Sequence, residues 1–525
     1  MKKNKFVGGV LLLSIFGLLS KVIGALYRIP LTHILGSQGM GLYQIVFPLY
    51  ALLIAISSSG FPASIAKLIA EYNAKNEYKK AKKILINSFI LLLTFSVIAA
   101  TFVLFFSKNI AQMQGNGSAG SLYMILSPAI VIVALSAGFK GYFQGHENMF
   151  PTSIAMVVEQ ISKLAFGVLF SKLLLPLGLV HGVTGAILGV VISEIITLCF
   201  LIVYYIVHSK KHKVQFLPLE KIKNPQVIKQ ILSLSLPITI GAIIMPVSMF
   251  IDSALIVNLL KSGGMLEANA TSLFGLVTGV VGSIINMPVV FSLAISTALL
   301  PLTSRHTTNN NIKKVSEHIS LSIILNLLIM LPLACIMFVF DDLIIEFLYG
   351  DCLSIEDIKL SATLLKFGAF SSVYLSFVQV TSSALQGAGK PILPALSLGV
   401  GVAVKIVLNI ILVKNPHIGI LGAEISSVMC YAVAGIINVM VLLKNYKFVF
   451  KTALLKSLIA LLFIFAGQSI IRKVVLGFAS GRLALVICLM FTFVLTLVVY
   501  SMLYKNNIVK FLAGRRKTQE ELNKI

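Results

Sequence analysis

Lys21 and Arg28 stand seven residues apart in an apolar run, which puts them on one face of any helix that holds them. Glu159 and Lys163 are four apart in another such run, and Lys140, Glu194, Asp252, Lys366, Lys405 and Glu424 are each embedded in apolar sequence. Charges in such surroundings are expensive and usually line a polar cavity or pair with one another. Two cations on one face suit an anion such as a phosphate, because charge-assisted hydrogen bonds are the strong ones. Glu159 and Lys163 suit either an internal ion pair or the wall of a cavity that handles a charged substrate or a proton. The candidate substrate-binding set is Lys21, Arg28, Glu159, Lys163, Asp252 and Lys405.

Signatures of enzyme chemistry are missing. The chain has no Walker loop, no Cys-x-x-Cys pair among its five cysteines and no assembled Ser-His-Asp set. His208 and His212 lack a third metal ligand, and the Asp341-Asp342 pair falls on the side away from cytoplasmic nucleotide sugars. We therefore expect no cofactor, no metal and no catalytic residue.

The elements that must carry these charges follow from hydropathy. Mean hydropathy is +0.97, 58% of residues are hydrophobic and only 12% are charged, too few to clothe a soluble protein of 525 residues. A spanning helix needs about 20 apolar residues. Fourteen segments qualify, near 6–27, 40–60, 84–106, 122–143, 153–175, 184–207, 231–256, 273–298, 319–340, 361–385, 391–413, 419–443, 452–471 and 483–504. The expected fold is an all-α, polytopic membrane protein.

The net charge of +25 orients the spans. Lys and Arg gather at the N-terminus, in the even-numbered loops and at the C-terminus, which places both termini in the cytoplasm of a cell-membrane protein. Basic residues scattered through short loops do not form a nucleic-acid surface, while Arg515-Arg516-Lys517 could rest on anionic lipid.

The chain also repeats itself. Gln144-Gly145 and Gln386-Gly387 each precede a short polar turn with Pro and a new span, and Lys163 and Lys405 follow them at equal distance. Thr184-Gly185-Ala186 and Leu421-Gly422-Ala423 open the sixth and twelfth spans. A duplicated six-span unit gives two bundles of the same topology about a pseudo-two-fold axis along the membrane normal, with a site between them and alternating access by rocking. The expected units are 1–207, a cytoplasmic linker 208–230, a second bundle 231–443, and two appended helices with a basic tail over 444–525. Lys163 and Lys405 should then face one central cavity from opposite sides. Because the eleventh span shows no nearby acid, Lys405 is expected to matter more for transport than Lys163.

Four stretches carry a family resemblance: Gly41-Leu42-Tyr43-Gln44 with Pro48, Gly60-Phe61-Pro62-Ala63-Ser64-Ile65-Ala66-Lys67, Gly141-Tyr142-Phe143-Gln144-Gly145 running on to Glu159-Gln160, and Ser296-Thr297-Ala298-Leu299-Leu300-Pro301. With them the chain resembles the polysaccharide-biosynthesis branch of the multidrug/oligosaccharidyl-lipid/polysaccharide exporter superfamily, nearest the stage V sporulation protein B group and related to lipid II flippases. The resemblance implies a flippase that moves undecaprenyl-pyrophosphate-linked oligosaccharide from the inner to the outer leaflet for cell-wall or polysaccharide biosynthesis. Its partners would be that substrate and membrane lipids, with the coupling ion or other driving force left open. It also implies a cavity cation in a Ser-Arg-x-x-Gly stretch, which here reads Ser20-Lys21-Val22-Ile23-Gly24, so the charge stays and the guanidinium fork is lost. The alternatives are a multidrug or organic-cation antiporter of the same superfamily, which would want acidic residues in the cavity, and a membrane glycosyltransferase or scaffold, which would want a larger loop or domain outside the membrane.

Overall fold

A backbone in lipid has no water to satisfy its N–H and C=O groups, so long apolar segments become helices that bond internally. The computed structural model describes residues 2–211, 225–446 and 450–522, and among them every regular element is helical. The middle of the linker, with His212, Lys213, Pro218, Lys221 and Lys223, lies outside the described residues, as do the side chains of the tail Arg515-Arg516-Lys517.

The elements are α1 (Lys2–Ser58), α2 (Phe61–Ala74), α3 (Tyr78–Met113), α4 (Ala119–Gly145), α5 (Phe150–Leu174), α6 (Leu179–Lys211), α7 (Pro225–Ser262), α8 (Glu267–Gly275), α9 (Gly282–Thr308), α10 (Ile312–Val339), α11 (Asp341–Tyr349), α12 (Ile355–Gly387), α13 (Ile392–Leu412), α14 (Leu421–Asn445), α15 (Phe450–Leu476) and α16 (Gly481–Leu522). A π-helical turn, Leu276–Val281, joins α8 to α9. Thirteen described helical stretches are long and apolar enough to cross a membrane, the first being Leu12–Ala74.

That first stretch crosses twice, which yields the fourteen expected spans. Gly36 interrupts α1 with φ 65°, ψ −173°, a conformation glycine adopts without steric penalty. Tyr27 and Tyr43 would stand about 24 Å apart on a straight helix, yet their ring centroids are 6.3 Å apart, so the chain folds back at Gly36. The loop expected between the spans 6–27 and 40–60 is therefore helical almost throughout. Arg28 consequently sits two turns inside α1 rather than at a span's end, because the buried backbone around it keeps its helical bonds.

Helices α1 to α6 pack mainly on one another, α5 along α6 and α3 along α4; α7 to α14 do the same, with α12 against α9, α10 and α14 and with α13 along α14. Helix α1 alone runs extensively against both sets, touching α5 and α6 on one side and α7, α8 and α9 on the other. Helices α15 and α16 pair and lie on α10 and α11. They are pinned by Arg472, which donates to Val339 O and, at 2.6 Å, to Asp342 Oδ2, with Asp341 Oδ1 at 3.5 Å. Lys366 of α12 also reaches Asp341 at 3.4 Å.

The clamp predicts that Arg472→Ala destabilises the protein by about 1.5–3 kcal/mol, the range of charge-assisted hydrogen bonds. A thermal melt in detergent measures this. Because Arg472 and Asp342 act as one unit, the double variant Arg472→Ala/Asp342→Ala should lose less than the two single losses added together.

Candidate functional site

Between the two helix sets lies a cavity of about 400 Å³. The first set contributes Ser20, Lys21 and Arg28 from one arm of α1, Tyr43, Gln44 and Phe47 from the other, and Gln160 and Lys163 from α5. The second set contributes Met249 from α7, Ser283, Asn286, Val289 and Val290 from α9, and Gln379 from α12. Three cations line this space and, among the described residues, no carboxylate does.

Local packing sets each cation. A Cβ on Gly24 would fall 2.8 Å from Gln160 Oε1, so the bare glycine one turn past Lys21 lets α1 close on α5 and seats the Gln160 amide at the wall. Tyr27, Tyr43, Phe47 and Tyr50 form a ladder of rings, with Tyr43 and Phe47 at 4.4 Å and Phe47 and Tyr50 at 5.9 Å. Lys163 Nζ lies 5.0 Å from the centre of the Phe47 ring and 5.7 Å from that of Tyr27, where the ring faces attract a cation. None of Lys21, Arg28 and Lys163 has a carboxylate within ion-pairing distance among the described residues. The expected Glu159–Lys163 pair does not form. Glu159 instead faces Lys140 of α4 at 3.8 Å and accepts the Gln160 amide at 3.0 Å, which leaves Lys163 to the rings and the cavity.

The symmetric pairing of Lys163 with Lys405 across the cavity is absent as well. Lys405 is buried inside the second helix set, with its Nζ 2.5 Å from Asp252 Oδ2, and Asn409 donates to Asp252 Oδ1 at 3.1 Å. Asp252 and Lys405 are thus not cavity residues. The reading that the eleventh span has no acid near it is corrected by α7, which supplies Asp252 from 153 positions away. Sequence reasoning also passed over Gln44, Asn286 and Gln379. Their signal was present: amides in apolar spans need partners, and the Gln379 Oε1 is buried without one.

A polar seam closes the end of the cavity that carries the Gly36 turn. Ser37 Oγ donates to Asp357 Oδ2 at 3.1 Å and Ser272 Oγ to Ser37 Oγ at 2.6 Å. Asn116 Nδ2 donates to Thr271 Oγ1 at 2.8 Å and Gln114 Nε2 to Ser253 Oγ at 2.6 Å. Asn258 reaches Met113 O at 2.7 Å and Lys261 reaches Gly115 O at 2.8 Å. Here α1 and α8 touch backbone to backbone, since a Cβ on Gly41 would fall 1.9 Å from Thr271 O and one on Gly275 2.2 Å from Ser37 O. At the opposite end the sets meet where Gly60 packs on Ser235 O and Tyr72 OH donates to Gln230 Oε1 at 3.1 Å.

A multi-pass helical membrane protein with two packed helix sets and a charged cavity between them has the architecture of a membrane transporter. The family model described as "Polysaccharide biosynthesis protein" matches residues 6–307, more than half the chain, and one described as "MatE" matches residues 237–411. The chain belongs to the polysaccharide biosynthesis protein family. It is 28% identical over 431 residues to stage V sporulation protein B of Bacillus subtilis, covering 82% of each chain. It is 25% identical over 499 residues to the lipid II flippase MurJ of the same organism, covering 90% of each. Its fold matches a solved structure of the lipid II flippase MurJ, in an inward closed conformation, with a TM-score of 0.72 at 18% identity, over 95% of this chain and 100% of that one.

The two lysines should differ on replacement. Lys405→Ala leaves Asp252 buried and unpaired and should cost about 3–5 kcal/mol of stability, read as a lowered melting point, and Asp252→Asn added to it should restore most of the loss. Lys163→Ala opens into the cavity and should leave the melting point within about 1 kcal/mol of the parent's.

Proposed function

We infer that this protein is a flippase for a lipid-linked oligosaccharide, of the undecaprenyl-pyrophosphate type, carried from the inner to the outer leaflet of the cell membrane. One observation carries this reading: Lys21, Arg28 and Lys163 line the cavity between the helix sets, with no carboxylate among its described lining residues. Like charges facing a space of low dielectric repel one another unless water or an anion lies between them. A pyrophosphate supplies that anion with several acceptor oxygens, and Gln44, Gln160, Asn286 and Gln379 offer amides suited to sugar hydroxyls. The relatives named above lend support, since one of them is called a lipid II flippase. The cation lining speaks against the organic-cation antiporter, whose cargo it would repel.

In this reading 1–207 and 231–443 rock against each other about the linker 208–230, while the helices of 444–525 ride on the second unit. The Gly36 side faces outward. Opening of the Ser37–Asp357 and Gln114–Ser253 contacts while Gly60 stays against Ser235 would expose the cavity to the outer leaflet. The polyprenyl tail stays in lipid throughout, so only the polar headgroup traverses the core of about 30 Å.

A leaflet-accessibility assay in cells depleted of the protein tests the function. Inner-leaflet accumulation of lipid-linked precursor is expected. An unchanged distribution together with altered dye efflux would favour the antiporter. In the same assay Lys21→Gln and Arg28→Gln, at normal membrane abundance, should each lose about 10- to 100-fold in flipping, the equivalent of a charge-assisted contact of roughly 1.5–3 kcal/mol.

The orientation has its own test in Cys352, which lies in the turn before α12 on the Gly36 side. Burial, with the Asp351 carboxylate beside it, pushes this thiol up to about 11. The thiolate is the reactive form, so labelling of Cys352 by a membrane-impermeant maleimide in intact cells should be slow at neutral pH and rise about tenfold per pH unit towards that value. Cysteines placed at Gly117 or Asp351 should label from outside without that delay, and one placed in the 208–230 linker should not label at all. Linker labelling in intact cells would reverse the orientation.

A further inference from the structure

The amides on the cavity wall do not offer donors and acceptors equally. Gln44 Nε2 donates to Thr278 O at 3.0 Å, Gln160 Nε2 to Glu159 Oε1 at 3.0 Å and Asn286 Nδ2 to Gly282 O at 2.6 Å. Each anchor is a carbonyl or carboxylate oxygen, which can only accept, so a flipped amide would set oxygen against oxygen. The orientation of all three is therefore fixed. In each, one N–H is spent inside the protein, while the amide oxygen takes no hydrogen bond from the described residues. Gln379 adds an Oε1 that is buried without a partner. The Gln160 oxygen rests on Gly24, between Lys21 and Arg28 along α1, so an acceptor stands directly beside the cations.

The charged donors are placed differently. Lys21, Arg28 and Lys163 all come from the first helix set, whereas the second-set wall carries only uncharged polar groups, among them Asn286 and Gln379. A headgroup with an anionic end and a glycan end then has one favourable orientation across the cavity. Its phosphate oxygens accept from the cations of α1 and α5. Its sugar meets amide oxygens and has to donate to them. Hydroxyl and acylamino groups can do so, and a carboxylate cannot. The cations would draw an acidic sugar into the cavity, but the diphosphate already occupies them. The extra carboxylate would lie against the Asn286 and Gln379 oxygens, and acceptor facing acceptor leaves both unpaired.

We propose that Gln44, Gln160, Asn286 and Gln379 are specificity-determining residues that select, next to the diphosphate, an uncharged sugar rich in O–H and N–H donors and exclude a hexuronic acid there. This selection rests on the flippase reading above and adds to it the chemical class of the first sugar. The cations hold what every such cargo shares, and the oriented amides read what differs between cargoes.

The test uses the full-length protein in nanodiscs and calorimetric titration, with empty nanodiscs subtracted. Four short-chain probes are compared: farnesyl diphosphate, and the same diphosphate joined to a 2-acylamino hexose, to the deoxyfluoro form of that sugar, or to a hexuronic acid. Fluorine keeps the shape of the sugar and removes the donated protons. The acylamino hexose probe should bind about 10- to 100-fold more tightly than bare farnesyl diphosphate, as expected for one or two net hydrogen bonds. The fluorinated and acidic probes should stay within about threefold of the bare diphosphate, since neither gains those bonds. Asn286→Leu and Gln379→Leu should each narrow the ratio between hydroxylated and fluorinated probe by about three- to tenfold. A loss of stability alone does not move that ratio. A fluorinated or acidic probe bound as tightly as the hydroxylated one would overturn the proposal. That comparison needs only the parent protein, so it decides even where a variant fails to fold. Diphosphate binding that weakens in Lys21→Gln but shows no preference among sugars removes the sugar selection and keeps the flippase reading. A parent that binds none of the four probes removes both.

Discussion

Repulsion among Lys21, Arg28 and Lys163 is the term around which the middle of this protein is built. At an effective dielectric constant of 20, two unit charges 4 Å apart interact by about 4 kcal/mol, and here three share one space of about 400 Å³ without a carboxylate among its described lining residues. Such a set is tolerable only where the ammonium and guanidinium groups keep water, face aromatic rings or hold an anion. The fold provides the first two. The reversal at Gly36 sets the Tyr43–Phe47 arm of α1 opposite the arm that carries the charges, and those rings meet Lys163. The cations come from the first helix set, so the second can close over them with amides, hydroxyls and apolar groups.

The two sets therefore hold charge by different means. In the first, Lys163 is left to rings and cavity while Glu159 is drawn to Lys140. In the second, the lysine at the repeat-equivalent position is locked by Asp252 in a buried interior. Equivalent positions in a duplicated fold share a backbone place and need not share neighbours. The seam on the Gly36 side shows the same division. It is built from hydroxyls, amides and backbone contact, groups that part at modest expense because water replaces each bond.

Much of this was legible in the chain. The fourteen apolar segments, the glycine- and proline-marked turns and the repeat follow from hydropathy and periodicity, which are local properties. So does the shared face of Lys21 and Arg28. The helix through Arg28 was missed because polar residues between two spans read as a loop, whereas Arg28 and its neighbours are covered by other helices. The Asp252–Lys405 pair was missed for a deeper reason. Periodicity tells which face of a helix a residue occupies, but not which other helix covers that face. Lys405 and Asn409, four apart on α13, did announce a polar stripe that required a partner; its identity depended on how α7 crosses α13.

The π-helical turn at Leu276–Val281 has a consequence for how such a chain could diversify. A wide turn of this kind is equivalent to one residue inserted in an α-helix, and one residue corresponds to roughly 100° of rotation. Before it, Thr271 and Ser272 meet the seam; after it, Ser283 and Asn286 face the cavity. A deletion of one residue within the turn would keep both stretches helical and still swing Ser283 and Asn286 away from the cargo space, bringing other side chains into their place. In this segment a change in chain length, rather than in residue type, is the short route to a different lining.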